Sequence, residues 1–168
     1  DRDSAAHDAW AWAEEHGARV HAFPPAKDFT DTELALRIAA ELMPRALVVL
    51  TGAFGGRFDH LMSAASVAAH AALPCILADE REALFFLHGD ESLTITCDSP
   101  PQAISLLPFA EECTGITTNG LRWELNGAQI HTHSSTTISN VLAESNTEHR
   151  FSVTLGSGIL GVYLCHKV

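Results

Sequence analysis

The chain has 168 residues, 46% of them hydrophobic, and a formal charge of −11 at neutral pH. That length fits one domain or two small ones with a real core, and the charge argues against a nucleic-acid partner, whose phosphates it would repel. No apolar run reaches the roughly 18 residues of a membrane span, and Cys75, Cys97, Cys113 and Cys165, scattered without a CxxC pair, read as reduced thiols rather than a disulfide framework.

Residues 5–16 read as a helix carrying Trp10, Trp12 and Ala13, closed by Gly17. Residues 19–23 read as a short strand ended by Pro24-Pro25. The four-residue recurrence of Leu34, Ile38 and Leu42 predicts a helix over residues 31–42, with Thr30 or Asp31 as its N-cap. A strand at 47–51, a helix at 61–72 and strands at 74–78 and 83–87 follow. The alternation predicts an α/β domain over residues 1–90, a parallel sheet with helices of the nucleotide-binding type. Beyond residue 90 the pattern becomes short strands, at 92–96, 103–107, 112–118, 121–125, 129–133, 151–155 and 159–164. Pro, Asn-Gly and Gly-Ser-Gly turns separate them. Residues 91–168 therefore read as an all-β antiparallel sandwich.

The richest stretch is Thr51-Gly52-Ala53-Phe54-Gly55-Gly56-Arg57-Phe58-Asp59-His60, on a strand-to-helix turn. Glycines let backbone N–H groups approach a phosphate, and a helix start adds partial positive charge. Arg57 adds a planar fork of donors that suits phosphate oxygens. Asp59 has three readings: acceptor for a ribose hydroxyl, partner of Arg57, or helix cap. On the residues alone, a ligand-binding turn and a tight turn with a structural Arg57–Asp59 pair are equally open. Asp1 and Asp3 alternate in an extended segment, and Asp28 and Asp31 flank a helix start. Carboxylates so placed suit magnesium, which takes one or two of them plus waters and substrate phosphates. Each also has a plain reading, as terminus, turn residue or cap. His131 and His133 share one strand face but lack a clustered third ligand for zinc. Trp123 reads by physics alone as a core or interface tryptophan rather than a binding face.

In order, these pieces resemble the thiamine pyrophosphokinase family. Asp1-Arg2-Asp3-Ser4, Lys27-Asp28-Phe29-Thr30-Asp31-Thr32-Glu33 and Gly55-Gly56-Arg57-Phe58-Asp59-His60 match its G-D-x-D-S, K-D-x-T-D-x-E and G-G-R-F-D-H segments. Ile104-Ser105-Leu106-Leu107-Pro108, Gly120-Leu121-Arg122-Trp123-Glu124-Leu125 and Ser139-Asn140 match its I-S-L-x-P, G-L-x-W-x-L and late S-N. Two departures stand out. The chain opens inside the first motif, which implies that part of the N-terminal half is missing, and Val141 follows Ser139-Asn140, which keeps Ser145-Asn146 open as an alternative pair. The resemblance implies transfer of a diphosphoryl group from ATP, the co-substrate, to the hydroxyethyl group of thiamine, giving thiamine diphosphate and AMP. It implies Mg2+ on Asp1, Asp3 and Asp31, with Asp28, Asp31 and Arg57 catalytic. Gly55, Gly56, Arg57, Asp59, His60 and Thr30 would meet ATP, with Lys27 nearby. Trp123, Ser139 and Asn140 would meet thiamine. It also implies a cytoplasmic homodimer with sites shared between subunits. The alternatives are a non-catalytic nucleotide- or thiamine-binding fragment and another Mg-dependent phosphoryl-transfer enzyme.

Overall fold

The computed structural model describes residues 7–24 and 26–166. Among them three helices and nine strands follow in the order α1 His7–Glu15, α2 Asp31–Leu42, β1 Val48–Leu50, α3 Phe58–Ala69, β2 Cys75–Ala78, β3 Glu82–His88, β4 Ser92–Thr96, β5 Ala103–Pro108, β6 Glu112–Asn119, β7 Ala128–His131, β8 Arg150–Thr154 and β9 Ile159–Cys165.

Local chemistry accounts for the helix ends. Gly17 takes φ +84° after α1, so that its N–H reaches the Glu14 carbonyl while the Ala18 N–H reaches that of Ala13. Thr30 is extended before α2, and its hydroxyl accepts the Glu33 N–H at 3.2 Å. The inner face of α3 is built of Ala64, Ala65, Ala68 and Ala69, all buried.

The expected parallel α/β domain is not what forms. Strands run β1-β2-β3-β9-β5 in a five-stranded sheet, and only β1 and β2 are parallel. The reason lies at residues 79–81. The Asp79 carboxylate accepts the N–H groups of Arg81 and Glu82, closing a tight turn that sends β3 back along β2. So short a link joins only antiparallel strands; a parallel pair needs a crossover of a dozen residues or more. The sheet is then completed by β9 and β5 from the far half of the chain, so it takes strands from both sides of residue 90. Two further expected strands are absent. Among the described residues, 19–23 pair with no neighbour and are mostly exposed, and residues 121–125 form a loop with one isolated bridge, Leu121 to Leu142.

A second sheet, β4-β8-β6-β7, is antiparallel throughout. It faces the β3-β9-β5 side of the first across the main core, where Phe151, Val153, Leu155, Ile104, Ile116, Leu160 and Val162 are fully or almost fully buried. A smaller core of Leu36, Ala65, Ala68, Cys75, Leu77 and Leu84 lies under α2 and α3. Gly158 is required where the β8–β9 turn crosses β6: its φ is +105°, and a Cβ there would lie 2.6 Å from the Glu112 carbonyl oxygen.

Candidate functional site

Two groups of side chains stand out, one at the starts of α2 and α3 and one at loops along the outer edge of β5.

In the first group, the turn after β1 delivers Arg57 to the N-cap of α3 with no side-chain cap bond. The helix-start amides are thus not blocked by their own cap. Arg57 and Asp59 form a fork: Nε donates to Oδ1 at 3.1 Å and Nη2 to Oδ2 at 2.6 Å. The guanidinium holds the Asp59 carboxyl below the usual aspartate range, and Asp59 in turn raises the Arg57 pKa. Of the three readings open for Asp59, the structure realises the partner of Arg57. Two of five guanidinium protons are used, so donors remain for an anion. Both side chains are exposed, as are Gly55 and Gly56. The turn is anchored from below by Phe54, whose ring lies against that of Tyr163 at 6.4 Å. Tyr163 donates its hydroxyl hydrogen bond to Glu82, and burial raises its pKa.

At α2, Lys27 Nζ lies 2.6 Å from Asp31, and this bond lowers the Asp31 pKa. Thr30 spends its hydroxyl on the helix cap. The side chains of Asp28 and His60 make no hydrogen bond to other described residues. Asp1 and Asp3 lie outside the described residues. Among the described residues no three His, Cys, Asp or Glu side chains converge as a metal cage. The donor set nevertheless suits a hard cation that keeps waters and substrate oxygens: Asp31 is ionised at neutral pH, and it and Asp28 are exposed near one helix start. Phe58, not singled out from sequence, is 75% exposed beside Arg57; a Phe at the first helical position after an arginine was the available signal.

The second group centres on Trp123, which is 59% exposed and therefore not a core residue. Arg122 stands over its ring at 5.2 Å and lies 3.8 Å from Glu144. The Asn140 side chain clamps the Trp123 backbone. Its Nδ2 donates to the Trp123 carbonyl at 2.8 Å, and its Oδ1 accepts the Trp123 and Val141 N–H groups at 3.3 and 2.9 Å. Beside Trp123 lies a cleft of about 120 Å³, lined by Ile104, Leu106, Leu121, Leu125, Thr137 and Ile138 among others. Ser139 has φ +62°, in the left-handed region. The rival pair is structural at its asparagine: Asn146 bonds the carbonyls of Gly120 and Arg150 and the Arg150 N–H. His131 and His133 stack at 5.2 Å, with Glu112 3.7 Å from His131.

The sheet order separates the two groups. β1, which feeds the Arg57 turn, is one edge strand of the five, and β5, which carries the Ser139-Asn140 segment, is the other. Four strand spacings of about 4.8 Å put roughly 19 Å between them.

A glycine turn with a cation at a helix start, and a separate exposed indole beside a small cleft, are the two candidate sites of the fold. Comparison with known proteins narrows the class. Residues 1–76 match the family model "Thiamin pyrophosphokinase, catalytic domain", and residues 90–160 match "Thiamin pyrophosphokinase, vitamin B1 binding domain". The thiamine pyrophosphokinase of Bacillus subtilis is 29% identical over 136 residues, 79% of this chain and 63% of the relative. Thiamin pyrophosphokinase 1 of Caenorhabditis elegans is 25% identical over 146 residues, 78% of this chain and 60% of that one. The crystal structure of the Bacillus subtilis thiamine pyrophosphokinase matches all of this chain and 77% of its own with TM-score 0.79 and 26% identity. A family protein from Enterococcus faecalis, 20% identical, shares the fold with TM-score 0.80 over 100% of this chain and 78% of its own. The chain belongs to the thiamin pyrophosphokinase family, and the matched region spans about six-tenths of the length of these curated relatives.

Proposed function

We propose that the protein transfers the β,γ-diphosphoryl group of ATP to the hydroxyethyl oxygen of thiamine, releasing AMP. The observation that carries this reading is the tandem match of a catalytic and a vitamin-B1-binding model along one chain. The geometry supports a division of labour. Arg57, held by Asp59, offers its remaining donors to phosphate oxygens at the start of α3. Gly55 and Gly56 leave the turn open for the nucleotide, with His60, Thr30 and Lys27 around it. Asp31, with Asp28 and with Asp1 and Asp3, would hold Mg2+, which neutralises charge on the triphosphate when bound. Asp28 either completes that shell or assists in deprotonating the thiamine hydroxyl. Trp123 supplies an electron-rich face for the cationic thiazolium ring, with Ser139 and Asn140 at its edge.

Reacting atoms must approach to about 3–3.5 Å, whereas the two groups sit at opposite edges of one sheet. A second copy, related by a two-fold axis, brings the Trp123 face of one subunit to the Arg57 turn of the other; the working unit is a homodimer. No helix among the described residues is long and apolar enough to cross a membrane, and the four free cysteines agree with a reducing, cytoplasmic setting.

The test is AMP formation from ATP and Mg2+ with and without thiamine. Thiamine-dependent AMP supports the transfer. Phosphate release that ignores thiamine favours a hydrolase, and thiamine binding by calorimetry without turnover favours a binding module.

A further inference from the structure

Ser105 has no role in the reaction above, yet it lies at an unusual place. It sits in the middle of β5 and is only 4% exposed, one of two buried polar residues among those described. Burying a hydroxyl without a hydrogen bond is costly, and alanine would fill a strand position of this size. The Ser105 oxygen accepts the Ser139 N–H at 3.0 Å. Among the described residues, Ser139 is one of three non-glycine residues with positive φ, a conformation that costs about 1 kcal/mol or more and persists only where its surroundings hold it.

The surroundings do hold it. The Thr137 hydroxyl and carbonyl bond the Leu106 backbone at 2.7 and 2.9 Å. Asn140 and Ile104 exchange two backbone bonds at 2.8 Å. Between these anchors the chain bulges at Ser139, and Ser105 fills the bulge. One residue on, Asn140 spends its carboxamide on Trp123. Both lone pairs of Oδ1 are taken by the Trp123 and Val141 N–H groups, and Nδ2 donates to the Trp123 carbonyl. The Arg122 N–H then bonds the Val141 carbonyl at 2.9 Å. An unbroken set of bonds thus runs from the buried hydroxyl of β5 to the backbone of the exposed tryptophan.

We propose that Ser105 and Asn140 are positioning residues: Ser105 holds the left-handed turn at Ser139, which aims the Asn140 carboxamide at the Trp123 backbone and fixes the indole for a flat aromatic cation. The ligand half of this statement rests on the thiamine reading of Trp123; the positioning half does not. It also means that Asn140 has no acceptor left for the ligand, only its second Nδ2 proton.

The direct readout is amide hydrogen exchange at Trp123, followed by NMR on the full chain, which needs no ligand. Asn140→Ala removes the acceptor, and Ser105→Ala removes the support of the turn that aims it. Each should speed Trp123 exchange about three- to tenfold, the value of one hydrogen bond. Glycine adopts positive φ without strain, so adding Ser139→Gly to Ser105→Ala should recover much of the protection at Trp123. In turnover, Ser105→Ala should raise the thiamine KM by a similar factor and leave the ATP KM unchanged. If Ser105→Ala speeds exchange at Ser139 alone, or lowers stability without touching Trp123, the proposal is overturned. Should Ser105→Ala fail to fold, Asn140→Ala and Ser139→Gly decide it, since unchanged Trp123 exchange in the former refutes the clamp. If exchange behaves as expected but thiamine binds no variant and not the parent, the positioning stands and the thiamine reading falls.

Discussion

If each site is shared between two subunits, two dead variants should revive one another. Arg57→Ala disables the phosphate side and Trp123→Ala the thiamine side, about 19 Å apart across the five-stranded sheet. In a two-fold dimer each site takes one side from each chain. A mixed dimer therefore has one site carrying both defects and one carrying neither. Random exchange of equal amounts makes half the dimers mixed, with one of two sites intact, so activity should return to about one quarter of the parent level. The assay is AMP release after co-incubation under conditions that allow subunits to exchange, with each variant alone as baseline. Activity that stays at the average of the two baselines would refute the shared site. The argument from sheet order would then be wrong, and one chain would have to bring both groups together.

Other expectations follow from single contacts. Arg57→Ala should lower turnover by about 10²- to 10³-fold, the usual cost of one transition-state donor. It should barely move Tm, because both members of its pair are exposed; a large loss of stability would make it a folding residue. Arg57→Lys should restore little, since an ammonium cannot reproduce the two-point fork. The Asp59 carboxyl should titrate below the ordinary 3.8 by NMR and move back toward it in Arg57→Ala. Its folded pKa lies below the unfolded one, so any stability it lends is present above about pH 4 and lost as pH falls through the folded value. The same sign holds for Asp31 with Lys27. An Asp59 midpoint indifferent to Arg57 would exclude the fork in solution. Thr30→Ala should cost about 1 kcal/mol, or about 2–4 °C in Tm, through loss of the α2 cap. If it instead weakened ATP binding at unchanged stability, Thr30 would be a ligand contact and not a cap. Phe151→Ala, at the centre of the main core, should cost about 3–5 kcal/mol in chemical denaturation.

Much of this protein was legible from local rules. Leu34, Ile38 and Leu42 gave α2 its period, Thr30 its start and Gly17 the end of α1, because caps and periods act over a few residues. The order of short motifs was enough to place the chain in its family, because each motif is a few contiguous residues even where its spatial partners are distant in the chain. Tertiary structure decided the rest. Reading residues 74–78 and 83–87 as members of a parallel sheet overlooked a turn of three residues, too short for any crossover, in which Asp79 caps two N–H groups. The sequence held that signal. It held no signal that β9 and β5 would complete the same sheet, since strand partners so distant in the chain are chosen by burial of a common core. Trp123 illustrates the limit most plainly. Physics alone favoured a core or interface tryptophan, and the core reading does not hold; a clamp from Asn140, supported by a hydroxyl on β5, holds the indole in the open within the chain, and hydrogen bonds between segments that distant in the chain exist only once the sheets have packed.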